Sequence, residues 1–170
     1  MISDIIKNIF RFFFLVLFQV LILNNIQLSG YLNPFLYVLF ILMLPFQTPK
    51  WLVLILAFVT GISVDMFSNT GGMHAAASVL MAFLRQPILK LISPRDGYDL
   101  VQSPTIRQFG FGWFFSYVGV LVFIHHLCLF YTETFRFTEF FSTFLRVILS
   151  TLFTLSLIFV SQFFFSNSKS

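Results

Sequence analysis

Long apolar stretches separated by short polar or helix-breaking segments dominate the chain. Within each stretch the apolar residues are continuous and do not alternate with polar ones, so the pattern does not fit a transmembrane β-barrel. A hydrocarbon core about 30 Å thick requires roughly 20 helical residues for one crossing. The pattern therefore predicts an all-α integral membrane protein, a bundle of about six transmembrane helices that forms a single domain over residues 1–170. The approximate helices are 9–28, 33–47, 51–67, 73–92, 111–131 and 140–165.

The second and third stretches are the shortest, and the number of spans depends on them. Pro34 in Asn33-Pro34 suits the first turn of a helix, and Pro45 suits its end. A re-entrant hairpin made from both stretches would leave four spans, with the same placement of the chain ends. Six is the preferred number because Pro34 and Gln47 can both lie in the headgroup zone.

The composition agrees with a lipid environment. Apolar residues make up 58 % of the chain and charged residues only 9 %, whereas a soluble domain has roughly 25 % charged residues. The net charge of +4 is spread along the chain without a basic run, which disfavours nucleic-acid binding. A single cysteine, Cys128, excludes an intrachain disulfide and a multi-cysteine metal site.

The distribution of Lys and Arg predicts the orientation. With the N-terminus inside, the outer segments carry only Arg136 before the last helix, next to Glu133 and Glu139. Trp51 and Trp113 would then lie at the inner interface, a depth that amphipathic rings favour. We therefore expect both chain ends to be cytoplasmic. The inner segments carry Lys7, Arg11, Lys50, Lys90, Arg95, Arg107 and Lys169.

Charged residues inside apolar helices are costly and are the first candidates for function. Asp65 lies about 22 Å along the third helix from Lys50, at about 1.5 Å per residue. Its carboxylate is therefore close to the turn at Gly71-Gly72, from which it can cap the N-terminus of the fourth helix. A polar contact to a ligand or a partner helix is the alternative.

Two arginines are also candidates. Arg85 lies one to two turns from the inner end of the fourth helix, and we expect its side chain to extend to the inner headgroups. Pro87 removes a helical hydrogen bond nearby, so a polar pocket at this position is the alternative. Arg146, at the outer start of the sixth helix, is expected to act as an anchor that pairs with Glu139 or Glu133.

Small residues predict close packing between the third and fourth helices. We expect a tightly packed hairpin over residues 51–92, and the glycine pair before the fourth helix permits its sharp turn. The residues spaced to line this contact are Gly61, Ala75, Ser78 and Ala82, and the turn between the helices is at Gly71 and Gly72. A similar role in the fifth helix is assigned to Gly110, Gly112 and Gly119.

No pattern of catalytic residues is present in the sequence. A nucleophile with its base, a Gly-rich phosphate loop and the H-E-x-x-H motif are all missing. His125, His126 and Cys128 suggest a metal site, but adjacent residues on a helix point about 100° apart. We expect these histidines to be polar residues near the membrane interface, and the protein to have no enzymatic activity, cofactor or metal.

Four features in sequence order resemble the family of the rod shape-determining protein MreD. They are Asn33-Pro34, an apolar helix ending at Pro45, Gly61-x-x-x-Asp65, and Gly72-x-His74-Ala75. The resemblance covers the whole chain in layout and implies a non-enzymatic scaffold subunit of the bacterial cell-elongation machinery in the inner membrane. It implies MreC, the actin-like MreB, RodA and its penicillin-binding transpeptidase as partners in peptidoglycan synthesis.

The MreD family is itself similar to the six-helix substrate-binding subunits of energy-coupling-factor transporters, and this similarity implies a second function. A transporter subunit predicts polar and aromatic side chains that converge in the outer half of the bundle. Asp65, Asn69 and His74 are the candidates. A scaffold predicts small-residue seams and apolar grooves for partner helices. Because the sequence is rich in the latter, the scaffold is the preferred function.

Overall fold

A computed structural model describes residues 2–26, 32–95, 97–98, 102–134 and 140–166. The elements within these ranges are all helical, which confirms the all-α prediction. They are α1 (Ile2–Leu21) with a 3-10 turn at Leu23–Asn25, α2 (Val38–Leu42), α3 (Lys50–Ser68), α4 (Met73–Leu91), α5 (Ile106–Thr134) and α6 (Phe140–Ser166).

Among the described residues, four regions are helical, long and apolar enough to cross a membrane. They are Ile5–Asn25, Lys50–Ser68, Ile106–Thr134 and Phe140–Phe163. The prediction of a membrane protein is therefore supported, although four regions qualify and not six. Helix α4 has 19 residues but is the least apolar of the long helices, and it packs between α3 and α5.

The prediction of a helix over residues 33–47 is wrong in its length. Only the five residues of α2 are α-helical, and Pro34 and Pro45 bracket the segment. Proline lacks the N–H that a continuing helix needs and disfavours helical geometry in the residue before it. All side chains from Phe35 to Leu44 are buried, so the segment lies inside the bundle and not against its outer surface.

The segment of residues 33–46 runs antiparallel to α1. Its beginning contacts Gln19, near the end of α1, and Met43 contacts Arg11, two turns closer to the start. At the far end, Phe46 N donates to Gln102 O at 3.1 Å. The segment thus passes from one end of the bundle towards the other with little regular structure.

The α3–α4 hairpin has the tight turn and the close packing that the sequence predicts. Gly71 and Gly72 have φ values of 51° and 93°, which glycine tolerates without strain. Asn69 has φ 56°, a left-handed value that asparagine adopts more readily than most residues. A Cβ atom on Gly61 would lie 2.4 Å from Ala75 Cα. The two backbones therefore touch, and there is no room for any side chain at this position.

The glycines of α5 do not have the packing role assigned to them. A Cβ atom on Gly112 or Gly119 would meet no atom within 4 Å. Gly110 has φ 80° and ψ 166°, so the regular part of α5 begins at Phe111, where the apolar stretch also begins.

Candidate functional site

The backbone of segment 33–46 is bound by side chains from neighbouring helices. Gln19 of α1 has no exposed surface and binds the segment twice. Its Nε2 donates to Pro34 O at 2.9 Å, and Leu36 N donates to its Oε1 at 2.8 Å. One amide therefore replaces two hydrogen bonds that a regular helix would supply.

Helix α6 binds the same end of the segment with two hydroxyls. Asn33 N donates to Ser150 Oγ, and Phe35 N donates to Thr154 Oγ1, both at 3.1 Å. Non-helical backbone at membrane depth is tolerated only where protein or water satisfies its polar groups. Helices α1 and α6 supply these hydrogen-bond partners for the start of the segment.

Three consecutive carbonyls at the C-terminal end of α2, those of residues 42–44, are bound at the other end of the segment. Tyr117 Oη donates to the first at 2.9 Å, and Arg11 Nη1 lies 3.5 Å from the second. Arg85 Nη2 donates to the third, and Arg85 Nε donates to Tyr117 Oη at 2.9 Å. The last carbonyls of a helix are partly negative, so the two guanidinium groups also suit them electrostatically.

The expectation that Arg85 extends to the headgroups is wrong. Its relative exposure is 1 %, and it lies inside the bundle against Tyr117 and the end of α2. The physical reason is the broken helix, whose free carbonyls need donors that lipid does not offer. Arg85 Nη1 has no partner among the described residues.

Asp65 caps α4, as one of the two interpretations of the sequence proposed. Its Oδ1 accepts from Thr70 Oγ1 at 2.6 Å and from His74 N at 3.0 Å, and its Oδ2 accepts from Ala75 N at 2.9 Å. His74 Nδ1 lies 3.1 Å from Oδ1. The carboxylate thus satisfies two free N–H groups at the start of α4 and joins the two helices.

His125 and His126 were expected to be polar residues near the membrane interface, but their side chains do not face headgroups, because both are fully buried inside the bundle. Tyr37 Oη lies 2.8 Å from His125 Nε2, and His126 Nε2 lies 3.1 Å from Thr154 Oγ1. The two rings flank Phe35. The residues that the structure describes contain no group of three side chains able to hold a metal ion.

An apolar layer separates the polar contacts of the bundle. On α4, Ser78 faces Tyr37, while Arg85 lies seven residues further, about 10 Å along the helix. Met81 and Leu121 are fully buried at this level. No hydrogen bond in the described ranges joins the Tyr37–Ser78 contact to Arg85, so the described side chains do not form one continuous polar path through the bundle.

A cavity of about 410 Å³ opens at the end where α3 ends and α4 begins. Arg146 Nη1 pairs with Glu133 Oε2 at 3.2 Å and packs on the ring of Phe130 at 4.4 Å. The expected pairing with Glu133 is confirmed, and Glu139 lies outside the described residues. The polar lining consists of Asn24, Asn25, Asn33, Ser68, Thr70, His74, Glu133 and Arg146.

The three residues that the sequence suggested for a ligand site, Asp65, Asn69 and His74, have different roles in this region. His74 lines the cavity, whereas Asp65 is occupied by its cap. Asn69 is the left-handed residue that ends α3. The sequence did not single out Asn24, which comes from the end of α1. It marked Asn33 as the start of the second helix but not as part of a polar cavity.

The chain was compared with protein-family models, with curated proteins and with solved structures. None of them matches it. Any functional assignment therefore rests on the residues and the geometry of the chain itself.

Proposed function

We propose that the chain is a non-enzymatic membrane scaffold subunit of the bacterial cell-elongation machinery, of the MreD type. The supporting observation is that the residues of the MreD-like pattern after Pro45 converge on one structural feature, the α3–α4 hairpin. Gly61 lets the two backbones touch, Asp65 caps α4, and Gly72 makes the turn. Each of these three residues has a structural role in the hairpin. The residues of the MreD-like pattern do not form a set of groups arranged for a chemical reaction.

The proposal includes six crossings of the inner membrane, with segment 33–46 as the second, and both chain ends in the cytoplasm. Six described cations lie at or near the end where α1, α3 and α5 begin, whereas Arg146 lies at the opposite end. The positive-inside rule favours the cation-rich end as the cytoplasmic one. The six are Lys7, Arg11, Lys50, Lys90, Arg95 and Arg107.

Helix α1 is the best candidate for contact with partner helices. Of the four candidate spans it is the least enclosed, with 17 % of its apolar window buried inside the bundle. Its outward side chains include Phe10, Phe13 and Phe14. In the proposed assembly, MreC, MreB, RodA and its penicillin-binding transpeptidase are the partners, and the chain links them to peptidoglycan synthesis.

The variant Asp65→Leu tests the role in cell shape. We expect it to weaken co-purification with MreC and to give round cells in a rod-shaped host depleted of its own MreD, because α4 loses its cap and the hairpin loosens. Gly72→Leu should act in the same direction, since a leucine is strained at φ 93°. Cell shape and the amount of MreC recovered per subunit are the measurements.

Met66→Leu is the matched control, because Met66 adjoins Asp65 and is 78 % exposed. It should support rods and bind MreC like the parent chain. All variants are compared at equal amounts in the membrane. Rod-shaped cells with undiminished MreC recovery for Asp65→Leu at that amount would refute the proposal.

The cavity favours a second candidate, a small-molecule-binding subunit of an energy-coupling-factor-type transporter. Its volume of about 410 Å³ lies within the range of ligand sites, about 300–1,000 Å³, and polar groups from the end of α1, from segment 33–46 and from α3, α4, α5 and α6 line it. Purification of the parent chain from mild detergent, with mass spectrometry of bound proteins, separates the two functions. Cell-wall proteins support the scaffold, whereas an ATPase module would reverse the order of the two candidates.

A further inference from the structure

A second pocket lies at the cation-rich end, beside the last turns of α4. Its volume is about 290 Å³. Gln86 and Lys90 are one helical turn apart and share one face of α4, and Ser93 follows the helix. The remaining lining residues are Phe46, Leu89 and Tyr98.

Aromatic residues form one wall of this pocket and donate hydrogen bonds to backbone carbonyls at the C-terminal end of α4. The rings of Phe46 and Tyr98 stack with centroids 4.4 Å apart. Tyr98 Oη donates to Leu89 O at 2.8 Å, and Trp113 Nε1 donates to Ile92 O at 3.0 Å. One carbonyl in the last turn of α4 and that of its C-cap residue are therefore bound, which reduces the negative field that a helix C-terminus presents.

Two polar side chains of the pocket have unused donors. No hydrogen bond or ion pair joins Lys90 or Gln86 to another residue in the described ranges. The Ser93 hydroxyl lies 3.3 Å from the carbonyl of Pro94 and also interacts with the hydroxyl of Tyr98. The site thus offers an ammonium and an amide, with the Ser93 hydroxyl in the same pocket. These donors suit an oxyanion, and an ammonium suits a phosphate in particular.

The surroundings of the pocket indicate the source of such an oxyanion. On the same helix, Leu91 and Phe83 have relative exposures of 84 % and 64 %, so apolar surface adjoins the polar donors. A lipid can lay its acyl chains on this surface while its phosphate reaches Lys90. Basic pockets near the ends of transmembrane helices bind anionic headgroups in this manner.

We propose that the pocket formed by Gln86, Lys90, Ser93 and the Phe46–Tyr98 stack binds the phosphate headgroup of an anionic glycerophospholipid. The site depends neither on the scaffold function nor on the orientation of the chain. It gives the cation-rich end a specific lipid contact in addition to its general attraction to anionic membranes.

Native mass spectrometry of the full chain in mild detergent tests the proposal, with phosphatidylglycerol and phosphatidylcholine titrated separately. We expect the parent chain to retain phosphatidylglycerol in preference to phosphatidylcholine. Lys90→Gln should weaken retention of phosphatidylglycerol about fivefold, the effect of one basic residue near an anionic lipid surface. Lys90→Arg should keep most of the binding, which shows that a loss in Lys90→Gln is not a loss of fold.

Lys50→Gln is the matched control, because Lys50 lies at the same end and is exposed but does not line the pocket. It should leave retention unchanged. Equal losses in Lys50→Gln and Lys90→Gln, or equal retention of the two lipids by the parent chain, would overturn the proposal. Displacement of phosphatidylglycerol by an excess of glycerol 1-phosphate would also overturn it, since the site would then bind soluble phosphates.

Discussion

Replacing Gly61 with alanine is expected to lower the free energy of unfolding by about 3 kcal/mol, the upper part of the range for an overpacked core. The added methyl group would lie 2.4 Å from Ala75 Cα and 2.6 Å from Ala75 N. Because these atoms belong to the backbone of α4, they cannot rotate away as a side chain would. The helices must separate, and the cap that Asp65 forms across them is lost with the contact.

The measurement is unfolding in mixed detergent micelles, followed by the fluorescence of Trp51 and Trp113. Gly112→Ala is the matched control, since a Cβ at Gly112 meets no atom within 4 Å. This control should be neutral or stabilise the chain by up to about 1 kcal/mol through better helix propensity. If both alanine variants unfold like the parent chain, the α3–α4 contact is looser than described.

Replacing Gln19 with leucine is expected to lower the free energy of unfolding by about 2–4 kcal/mol. The substitution keeps an apolar volume at the site but leaves Pro34 O and Leu36 N without partners. Each orphaned buried group costs about 1–3 kcal/mol, while side-chain bonds between membrane helices contribute less, about 0.6 kcal/mol on average. The expected loss reflects two such groups in an environment with little water.

Gln162→Leu separates this effect from the mere removal of a buried amide. Gln162 is also buried, but its recorded contact is a weak one, 3.6 Å from Nε2 to Met43 Sδ. We expect a change below about 1 kcal/mol, because a thioether is a weak acceptor. The same fluorescence assay applies to both variants. Equal destabilisation by the two would show that Gln19 does not act through the backbone of segment 33–46.

The α3–α4 hairpin could be predicted from the sequence because its determinants are local. Asp65, the glycine pair and the start of α4 lie within ten residues of one another, and each residue type has a defined effect on helix ends and turns. Gly61 needed only helical spacing to be placed opposite the small residues of α4. Such features depend on backbone chemistry that is independent of the rest of the chain.

Segment 33–46 could not be predicted in the same way, because distant residues hold it. An apolar stretch bounded by Pro34 and Pro45 is typical of a short helix, and nothing local shows that its backbone will be bound elsewhere. The available signal was the presence of polar residues inside other apolar helices. Gln19, Ser150 and Thr154 were that signal, and they mark the partners of the segment.

The burial of Arg85 and of the two adjacent histidines was missed for a related reason. Position along a helix predicts depth in the membrane, but it does not predict which side of the helix faces the bundle. The position of Arg85 near the predicted inner end of the fourth helix favoured contact with headgroups, yet its guanidinium donates to the carbonyl of Leu44, just after α2. Recognising α2 as a broken helix would have provided the acceptor that Arg85 required.

The sequence separation of the contacts to segment 33–46 has a consequence for biogenesis. Asn33 and Ser150 are 117 positions apart, and Phe35 and Thr154 are 119 apart. When residues 33–46 leave the ribosome, the hydroxyls that will bind them have not been synthesised. Segment 33–46 therefore lacks these two hydrogen-bond acceptors until α6 has been synthesised. Helix α6 thus completes the set of contacts that hold segment 33–46 inside the bundle.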